Sequence, residues 1–263
     1  MPRFSANLTV MYNEVDFLGR FERAARDGFK AVEYLFPYEL EKEEQAEKLD
    51  KYGLELVLNN LPAGDRLAGE RGIACLPERV EEFQEGVGLA IEYAKVLKCP
   101  RLNCLVGVTP QEVPPEKVRQ TLVDNLRFAA TALEKEDIRL LVESLNDRDV
   151  PGFYLTHTRD ALQLLKEVNH TNLQLQYDIY HMQVMEGNLT RTIQDNLAHI
   201  GHMQLADNPG RHEPGTGEIN YTNLFRFIDE AGYDGWIGCE YNPAGVTEEG
   251  LEWIKPYFKE GGK

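Results

Sequence analysis

The sequence has no long apolar run, no paired cysteines and little positive charge. No stretch approaches the roughly 18 consecutive apolar residues that a membrane-spanning helix requires, and the first residues do not form the apolar segment of a secretory signal. The four cysteines include no CxxC pair; they are Cys75, Cys99, Cys104 and Cys239. We therefore expect reduced thiols and a cytoplasmic protein with no membrane span.

The charge balance is strongly acidic. The 28 lysines and arginines are outnumbered by 44 aspartates and glutamates, which gives a formal net charge of −16. This charge repels phosphate backbones and anionic lipids, so we expect neither a nucleic acid nor a membrane as partner. A small anionic substrate remains compatible, because one nearby cation can override a distant field that salt screens. No heptad repeat or unexplained apolar face predicts an oligomeric state.

Short β-branched and apolar runs alternate with longer amphipathic stretches along the whole chain. The predicted strands are 4–8, 31–35, 54–59, 101–106, 138–143, 173–178, 200–205 and 236–241. The predicted helices are 16–27, 39–52, 77–97, 115–135, 159–168, 188–198, 220–231 and 247–259. Eight strands that are each followed by a helix form a closed (β/α)₈ barrel, and about 250 residues is typical of that fold. No linker divides the chain, so we predict one α/β domain, a (β/α)₈ TIM barrel over residues 1–263.

Oxygen-bearing side chains end the last four predicted strands. They are Glu143, Asp178, Gln204 and Glu240, each about one βα unit from the next. The carboxyl ends of all barrel strands meet at one rim, where active sites of this fold are built. In LQLQYD (173–178) the polar residues alternate with apolar ones, which predicts that the polar face points into the barrel. These side chains are therefore expected to converge.

Carboxylates that crowd together repel one another unless a cation lies between them. Carboxylate and amide oxygens are hard ligands that suit Mg²⁺ or Mn²⁺ better than a zinc site rich in thiol or imidazole. His181 and His202 keep zinc open as an alternative, although neither has an HxxxH partner. Ion pairing at the rim is the other interpretation of the same acids. Their presence on consecutive strands favours a divalent metal.

Five segments closely resemble the hydroxypyruvate isomerase family, within the xylose-isomerase-like barrel superfamily. They are NLPAGDRLAGERGIAC (60–75), VESLN (142–146), QYDIYHMQVMEGN (176–188), QLADNPGRHEPGTGEINY (204–221) and GWIGCEYNP (235–243). The resemblance covers essentially the whole chain. Ser144 and Asn242 stand where the family more often has proline and lysine, and neither replaces a ligand.

The resemblance implies a divalent metal held by Glu143, Asp178, Gln204 and Glu240, with Glu143 and Glu240 as the proton-transfer pair. It implies reversible isomerisation of hydroxypyruvate to 2-hydroxy-3-oxopropanoate (tartronate semialdehyde) through an enediolate. The residues agree with this chemistry, because a Lewis acid can stabilise the enediolate while two carboxylates act as base and acid.

Other functions remain open on the same residues. Isomerases of 2-oxo-tetronates carry similar motifs, and a ketose 3-epimerase would use the same metal and acids. A non-catalytic protein that binds sugar or metal is the alternative from a different class. A DNA-repair endonuclease is disfavoured by the negative charge and by too few histidines near strand ends.

Cationic and neutral side chains near the acids are candidates for binding substrate. His181, three residues after Asp178, is predicted to hydrogen-bond a substrate oxygen. A carboxylate of the substrate needs a cation, for which Arg66, Arg71 and Arg211 are candidates and Arg71 is preferred. His202 is predicted to fill the barrel interior.

Overall fold

The computed structural model describes residues 1–258, in which eight parallel strands close into a barrel. The strands are β1 (Arg3–Asn7), β2 (Ala31–Glu33), β3 (Glu55–Asn60), β4 (Arg101–Cys104), β5 (Arg139–Glu143), β6 (Leu173–Asp178), β7 (Ile200–Leu205) and β8 (Trp236–Cys239). Each strand pairs in parallel with the next, and β8 closes the ring on β1. The predicted (β/α)₈ barrel is confirmed.

The α-helices lie between and after these strands. They are α1 (Phe17–Arg26), α2 (Lys42–Tyr52), α3 (Val80–Leu97), α4 (Pro115–Glu134), α5 (Thr158–Val168), α6 (Ile179–Met185), α7 (Leu189–Asn196), α8 (Tyr221–Glu230) and α9 (Lys255–Phe258). Local chemistry sets several ends. The Asp16 carboxylate accepts the Gly19 N–H at the start of α1, and α2 ends at Gly53, which takes a left-handed conformation at φ 63°.

Most element boundaries differ from the sequence prediction by a few residues, and two helical regions differ more. Helix α6 begins directly after Asp178, whereas the sequence predicted a loop before a helix at 188–198. The segment predicted as a helix at 247–259 is a 3₁₀ helix at Thr247–Trp253 followed by the single turn α9, and residue 259 lies outside the described residues. No helix in the described part of the chain is both long and apolar enough to cross a membrane.

The main apolar core lies between the strands and the surrounding helices. In one part of it Phe4 of β1 packs edge-on against Phe225 of α8 and against Trp253. The interior of the barrel is polar by comparison, although the interiors of most such barrels are filled with valine, isoleucine and leucine. Side-chain hydrogen bonds that cross the barrel interior from β7 to β2 show this polarity.

At the centre of these polar side chains lies Glu33, a fully buried carboxylate on β2. It accepts hydrogen bonds from side chains of β1 and β7; the donors are Ser5, Asn7, His202 and Gln204, at 2.7–3.1 Å. A Cβ at position 238 would lie 2.2 Å from a Glu33 oxygen, so only glycine leaves room for the carboxylate there. The prediction that His202 fills the barrel agrees with its place in this cluster.

Candidate active site

A small cavity opens at the carboxyl ends of the strands. Its volume is about 180 Å³, below the range of roughly 300–1,000 Å³ that is usual for drug-sized ligands. The residues that line it are Val10, Leu35, Asn60, Arg71, Leu105, Glu143, Leu145, Val150, His181, Arg211, Glu240 and Asn242. The predicted acids Glu143 and Glu240 and the predicted substrate residues His181 and Arg71 therefore share one cavity.

Asp178 is the last residue of β6 and the N-cap of α6. Its Oδ1 accepts the backbone N–H of Tyr180 at 2.8 Å and that of His181 at 3.4 Å. This capping satisfies two N–H groups that the first turn of a helix leaves unpaired. The other oxygen, Oδ2, has no hydrogen bond within residues 1–258 and faces His181 Nε2 at 3.6 Å. The cap thus fixes the carboxylate and leaves one oxygen available.

Glu143, the last residue of β5, is held by the neighbouring strand. Asn103 of β4 donates from Nδ2 to Glu143 Oε2 at 2.9 Å, and both side chains are buried. Within the described chain Oε1 of Glu143 makes no hydrogen bond. As with Asp178, one carboxylate oxygen is anchored and the second is available to a ligand.

Glu240 follows β8 directly and pairs with Arg211. Arg211 Nη2 lies 3.1 Å from Glu240 Oε2 and 4.0 Å from Asp178 Oδ2. The loop that carries Arg211 is clamped by Asp207, whose buried carboxylate accepts the backbone N–H groups of Gly215, Gly217 and Ile219. One guanidinium therefore lies between two acids of the cavity, in a loop that the fold holds in place.

Burial and neighbouring charges perturb the two glutamates of the site. Burial raises the pKa of Glu143 well above its usual range, and the charges of Glu240 and Asp178 raise it further. Burial also raises the pKa of Glu240, to about 8, although Arg211 opposes that rise. Burial alone would lower the pKa of Arg211, but the charges of Glu240, Asp178 and Glu143 outweigh it and raise that pKa. A divalent cation would relieve the repulsion that one arginine leaves.

Glu143, Asp178 and His181 form a group that can hold a metal ion, with one ligand atom from each residue within 4.8 Å of the others. The hydrogen bonds of His181 favour a different role. Its Nδ1 accepts the backbone N–H of Asn146 at 3.1 Å, and burial lowers its pKa to about 4. A neutral imidazole that accepts at Nδ1 carries its proton on Nε2. His181 Nε2 is therefore a hydrogen-bond donor beside the acids.

Gln204, the fourth predicted ligand, already makes two side-chain hydrogen bonds inside the barrel. Its Nε2 donates to Glu33 Oε1 at 2.7 Å, and its Oε1 accepts from Gln176 Nε2 at 2.6 Å. Glu33 thus fixes the orientation of the Gln204 amide, with Nε2 towards Glu33. Because Oε1 already accepts one hydrogen bond, only its second lone pair is left for a cation. The three carboxylate oxygens fit a hard cation such as Mg²⁺ or Mn²⁺.

The sequence of the chain matches a known protein family. The model of the xylose isomerase-like TIM barrel family matches residues 21–257. The chain belongs to the xylose isomerase-like TIM barrel family.

Two isomerases resemble the chain over nearly its whole length. It is 56% identical over 257 residues to hydroxypyruvate isomerase of Escherichia coli (strain K12), which covers 98% of this chain and 100% of that protein. It is 47% identical over 258 residues to 2-oxo-tetronate isomerase of Cupriavidus necator, which covers 98% of this chain and 99% of that protein. The predicted resemblance to hydroxypyruvate isomerase is confirmed, and so is the prediction of an isomerase.

Two solved structures agree with the fold of this chain. A Brucella melitensis crystal structure described as an AP endonuclease of family 2 has a TM-score of 0.96 and 46% identity, covering 98% of this chain and 99% of that one. The 3-keto-D-glucoside 4-epimerase of E. coli has a TM-score of 0.76 at 19% identity, covering 97% of this chain and 99% of that one. The second likeness concerns the fold alone.

Two arginines, Arg71 and Arg211, line the cavity of this protein, and they differ in their partners. Arg211 already neutralises Glu240, as described above. Arg71 lines the cavity and donates from Nη1 to the backbone carbonyl of Glu70 at 2.9 Å, and within residues 1–258 it has no carboxylate partner. The third candidate, Arg66, does not line the cavity and instead lies over the ring of Phe36, with Cζ 4.1 Å from its centroid.

A larger cavity of about 700 Å³ lies at the amino ends of the later strands, away from the acids. Its arginines are occupied, since Arg101 Nε donates to the Gly201 carbonyl at 3.2 Å and Arg139 Nη1 to the Thr171 carbonyl at 2.6 Å. Active sites of (β/α)₈ barrels are built at the carboxyl ends of the strands, which is the other end of this barrel. The smaller cavity is therefore the candidate active site.

Sequence reasoning missed Asn103 and Glu33 as supports of the site. Both lie on inward-facing strand positions, and Glu33 ends β2 as Glu143 ends β5. The polar-strand-end pattern used for the last four strands could have found Glu33. The position of Glu33 at a strand end was not evident from the sequence, because the predicted strand 31–35 placed Glu33 in its middle, whereas β2 ends at Glu33.

Proposed function

We propose that this protein interconverts hydroxypyruvate and 2-hydroxy-3-oxopropanoate (tartronate semialdehyde) in a metal-dependent isomerisation. One observation carries the proposal. Glu143, Asp178 and Glu240 each have one oxygen anchored by the protein and the other without a hydrogen bond within residues 1–258. Rigid carboxylates with available oxygens beside one small cavity are what cation binding and proton transfer both require.

The proposed ligands are Glu143, Asp178, Gln204 and Glu240, and the proposed ion is Mg²⁺ or Mn²⁺. When bound, such an ion supplies Lewis-acid stabilisation of the negative charge that develops on the substrate oxygens. The protein holds the ligands so that little rearrangement is needed. Asn103 anchors Glu143, the start of α6 anchors Asp178, and Glu33 orients Gln204.

Glu143 and Glu240 are the proposed proton-transfer residues. One carboxylate removes a proton from C3 of hydroxypyruvate, and the other returns a proton to C2. One hydrogen moves from the oxygen on C3 to the oxygen on C2, so that atoms balance across the isomerisation. Between the two transfers the substrate is an enediolate. Both residues line the same small cavity, which supports this assignment.

His181 and Arg71 are the proposed substrate-binding residues. His181 is neutral with its proton on Nε2, so it can donate to a substrate oxygen without carrying a positive charge. Arg71 is the cation of the cavity that no carboxylate of the described chain neutralises, which suits the carboxylate of a small hydroxy or oxo acid.

The relatives support the same substrate class and leave one rival. The chain is more similar to the E. coli hydroxypyruvate isomerase than to the C. necator 2-oxo-tetronate isomerase, at 56% against 47% identity. The small cavity also favours the three-carbon acid. A higher kcat/KM for a 2-oxo-tetronate than for hydroxypyruvate would assign the protein to the four-carbon group.

Turnover by the metal-stripped protein is the decisive experiment. Hydroxypyruvate is supplied with and without Mg²⁺ or Mn²⁺ in deuterated water, and the products are followed by NMR. We expect metal-dependent formation of 2-hydroxy-3-oxopropanoate with solvent deuterium on carbon. Binding without any exchange would favour the non-catalytic alternative, and epimerisation of a ketohexose without isomerisation of hydroxypyruvate would favour a 3-epimerase.

A further inference from the structure

Asn60 is a buried polar residue in the otherwise apolar part of the cavity wall. It ends β3, is 1% exposed and lines the cavity. The wall that the first four strands and their loops contribute also contains the exposed Arg71 and the apolar side chains of Val10, Leu35 and Leu105. An amide placed among these hydrocarbon side chains is the feature of this wall that requires an explanation.

The backbone of Asn60 is fixed on both sides. Its N–H donates to the Leu35 carbonyl at 2.8 Å, and its carbonyl accepts from the Tyr38 hydroxyl at 2.5 Å. On the next strand its register partner is Asn103, the residue that anchors Glu143. The Asn60 side chain is therefore held in the row of inward-facing residues that leads to the catalytic acid.

The side-chain amide of Asn60 has no partner of its own. Its Oδ1 is buried without a hydrogen bond, and no side-chain hydrogen bond of Asn60 occurs within residues 1–258. A buried polar group without a partner destabilises a fold, whereas an apolar side chain of the same shape would not. A ligand that fills the cavity can supply the missing partner.

We propose that Asn60 is a specificity-determining residue that binds the oxygen on C3 of a three-carbon acid, an inference that rests on the proposed function. An amide carries both an acceptor and a donor. Oδ1 accepts from the C3 hydroxyl of hydroxypyruvate, and Nδ2 donates to the C3 aldehyde oxygen of the product. One side chain thus binds both sides of a reaction that turns an alcohol into an aldehyde.

The test uses ligands that differ only in this oxygen and cannot isomerise. D-Glycerate has a C3 hydroxyl and D-lactate lacks it. Calorimetric titration of the Mg²⁺-loaded protein should give about 10- to 100-fold tighter binding of glycerate, the range expected when a buried amide gains or lacks its partner. In Asn60→Leu, which keeps the volume and removes both polar groups, the two acids should bind equally. Asn60→Ala should lose the same preference.

Asn59→Leu is the matched control. Asn59 precedes Asn60 on β3 and is equally buried, but it does not line the cavity, and its Nδ2 donates to the Tyr34 carbonyl at 2.6 Å. This variant should unfold at a lower temperature than the wild type and keep the preference for glycerate. Asn60→Leu should show the reverse, with an unfolding temperature no lower than that of the wild type and no preference.

The outcomes separate this inference from the proposed function. If the wild type turns over hydroxypyruvate but binds glycerate and lactate equally, or if Asn60→Leu and Asn60→Ala keep the preference, the role of Asn60 is wrong and the isomerase proposal stands. If the wild type does not turn over hydroxypyruvate under any metal, the isomerase proposal fails and the inference fails with it. Lower kcat/KM in Asn60→Leu together with lost preference supports both.

Discussion

The two halves of the barrel mouth are built from different side chains. The half formed by β5–β8 and their loops, the acidic half, lines the cavity with Glu143, Glu240, His181 and Arg211 and with the apolar Leu145 and Val150. The half formed by β1–β4 and their loops, the apolar half, lines it with Val10, Leu35 and Leu105 around Asn60 and with one charged residue, Arg71. Burial is the largest cause of the raised pKa values of Glu143 and Glu240. The apolar half therefore contributes to the chemistry of the acidic half, because it keeps water away from the acids.

Removing the metal should have the largest effect on the acidic half. We expect chelation to abolish turnover of hydroxypyruvate while the protein stays folded, because the apolar core around the barrel is large and contains none of the proposed ligands. Turnover and circular dichroism are measured after chelation and after Mg²⁺ or Mn²⁺ is restored. Cooperative unfolding of the stripped protein at room temperature would show that the ion is structural.

Replacing either of the proposed proton-transfer residues should give the next largest effect. Glu143→Gln and Glu240→Gln keep an oxygen but remove the proton-accepting carboxylate, so each should lower kcat by about 10²–10⁴-fold. Metal affinity, measured by calorimetry, should fall less than kcat. The exposed Glu116→Gln on α4 is the control and should leave kcat unchanged. Near wild-type kcat at saturating metal would show that the replaced residue is only a ligand.

The sequence predicted the acidic half better than the apolar half. Strands β6 and β7 have the predicted bounds, because alternating polar and apolar residues mark both the strand and its inward face. The support from Glu33 to Gln204 joins strands that are not neighbours in the barrel, and no local pattern encodes such a contact. Asn60 lay in a recognised segment, but its missing partner is visible only once the surrounding side chains are placed.

Glu33 offers a way to disturb the acidic half from the opposite side of the barrel. Glu33→Gln should weaken Mn²⁺ binding by about 10- to 100-fold. Glutamine keeps only one accepting oxygen for the four donors that surround Glu33, so the orientation of the Gln204 amide is no longer fixed. Ser5→Ala removes a different hydrogen bond to Glu33 and should change the affinity much less. Calorimetric titration with Mn²⁺ measures both. Unchanged affinity in Glu33→Gln would mean that Gln204 is not oriented by Glu33 or is not a ligand.

The metal-free protein should lose stability as the pH rises. The pKa of Glu240 is about 8 in the folded chain and about 4.3 in an unfolded one, so between these values the folded state binds the extra proton. The free energy of unfolding then falls by about 1.4 kcal/mol per pH unit for each such proton.

His181 acts in the opposite direction, since its pKa is lowered to about 4, but only below its unfolded value of about 6.5. Urea unfolding between pH 6.5 and 8 therefore isolates the carboxylates. Saturating Mg²⁺ should flatten the slope, and Glu240→Gln should reduce it. A free energy of unfolding that rises with pH in the metal-free protein would contradict the raised pKa of the buried Glu240.

The smallest effect is expected from a change in the apolar half that alters the space available to the substrate and not the charge of the cavity. Leu35 lines the cavity and lies near Asn60, which donates its N–H to the Leu35 carbonyl. Leu35→Ala shortens the hydrocarbon wall without touching a charged group. The ratio of kcat/KM for a 2-oxo-tetronate to that for hydroxypyruvate should rise about tenfold, the lower end of what one or two methylene groups contribute to discrimination.

Leu67→Ala is the matched control for this change, because Leu67 is fully exposed and does not line the cavity. It should leave the ratio of the two substrates unchanged. If Leu35→Ala also leaves this kcat/KM ratio unchanged while lowering both kcat values, the apolar wall excludes water but does not discriminate between three-carbon and four-carbon substrates. In that case discrimination would lie with polar contacts such as Asn60, since an apolar wall rejects an extra carbon only where it leaves no room for one.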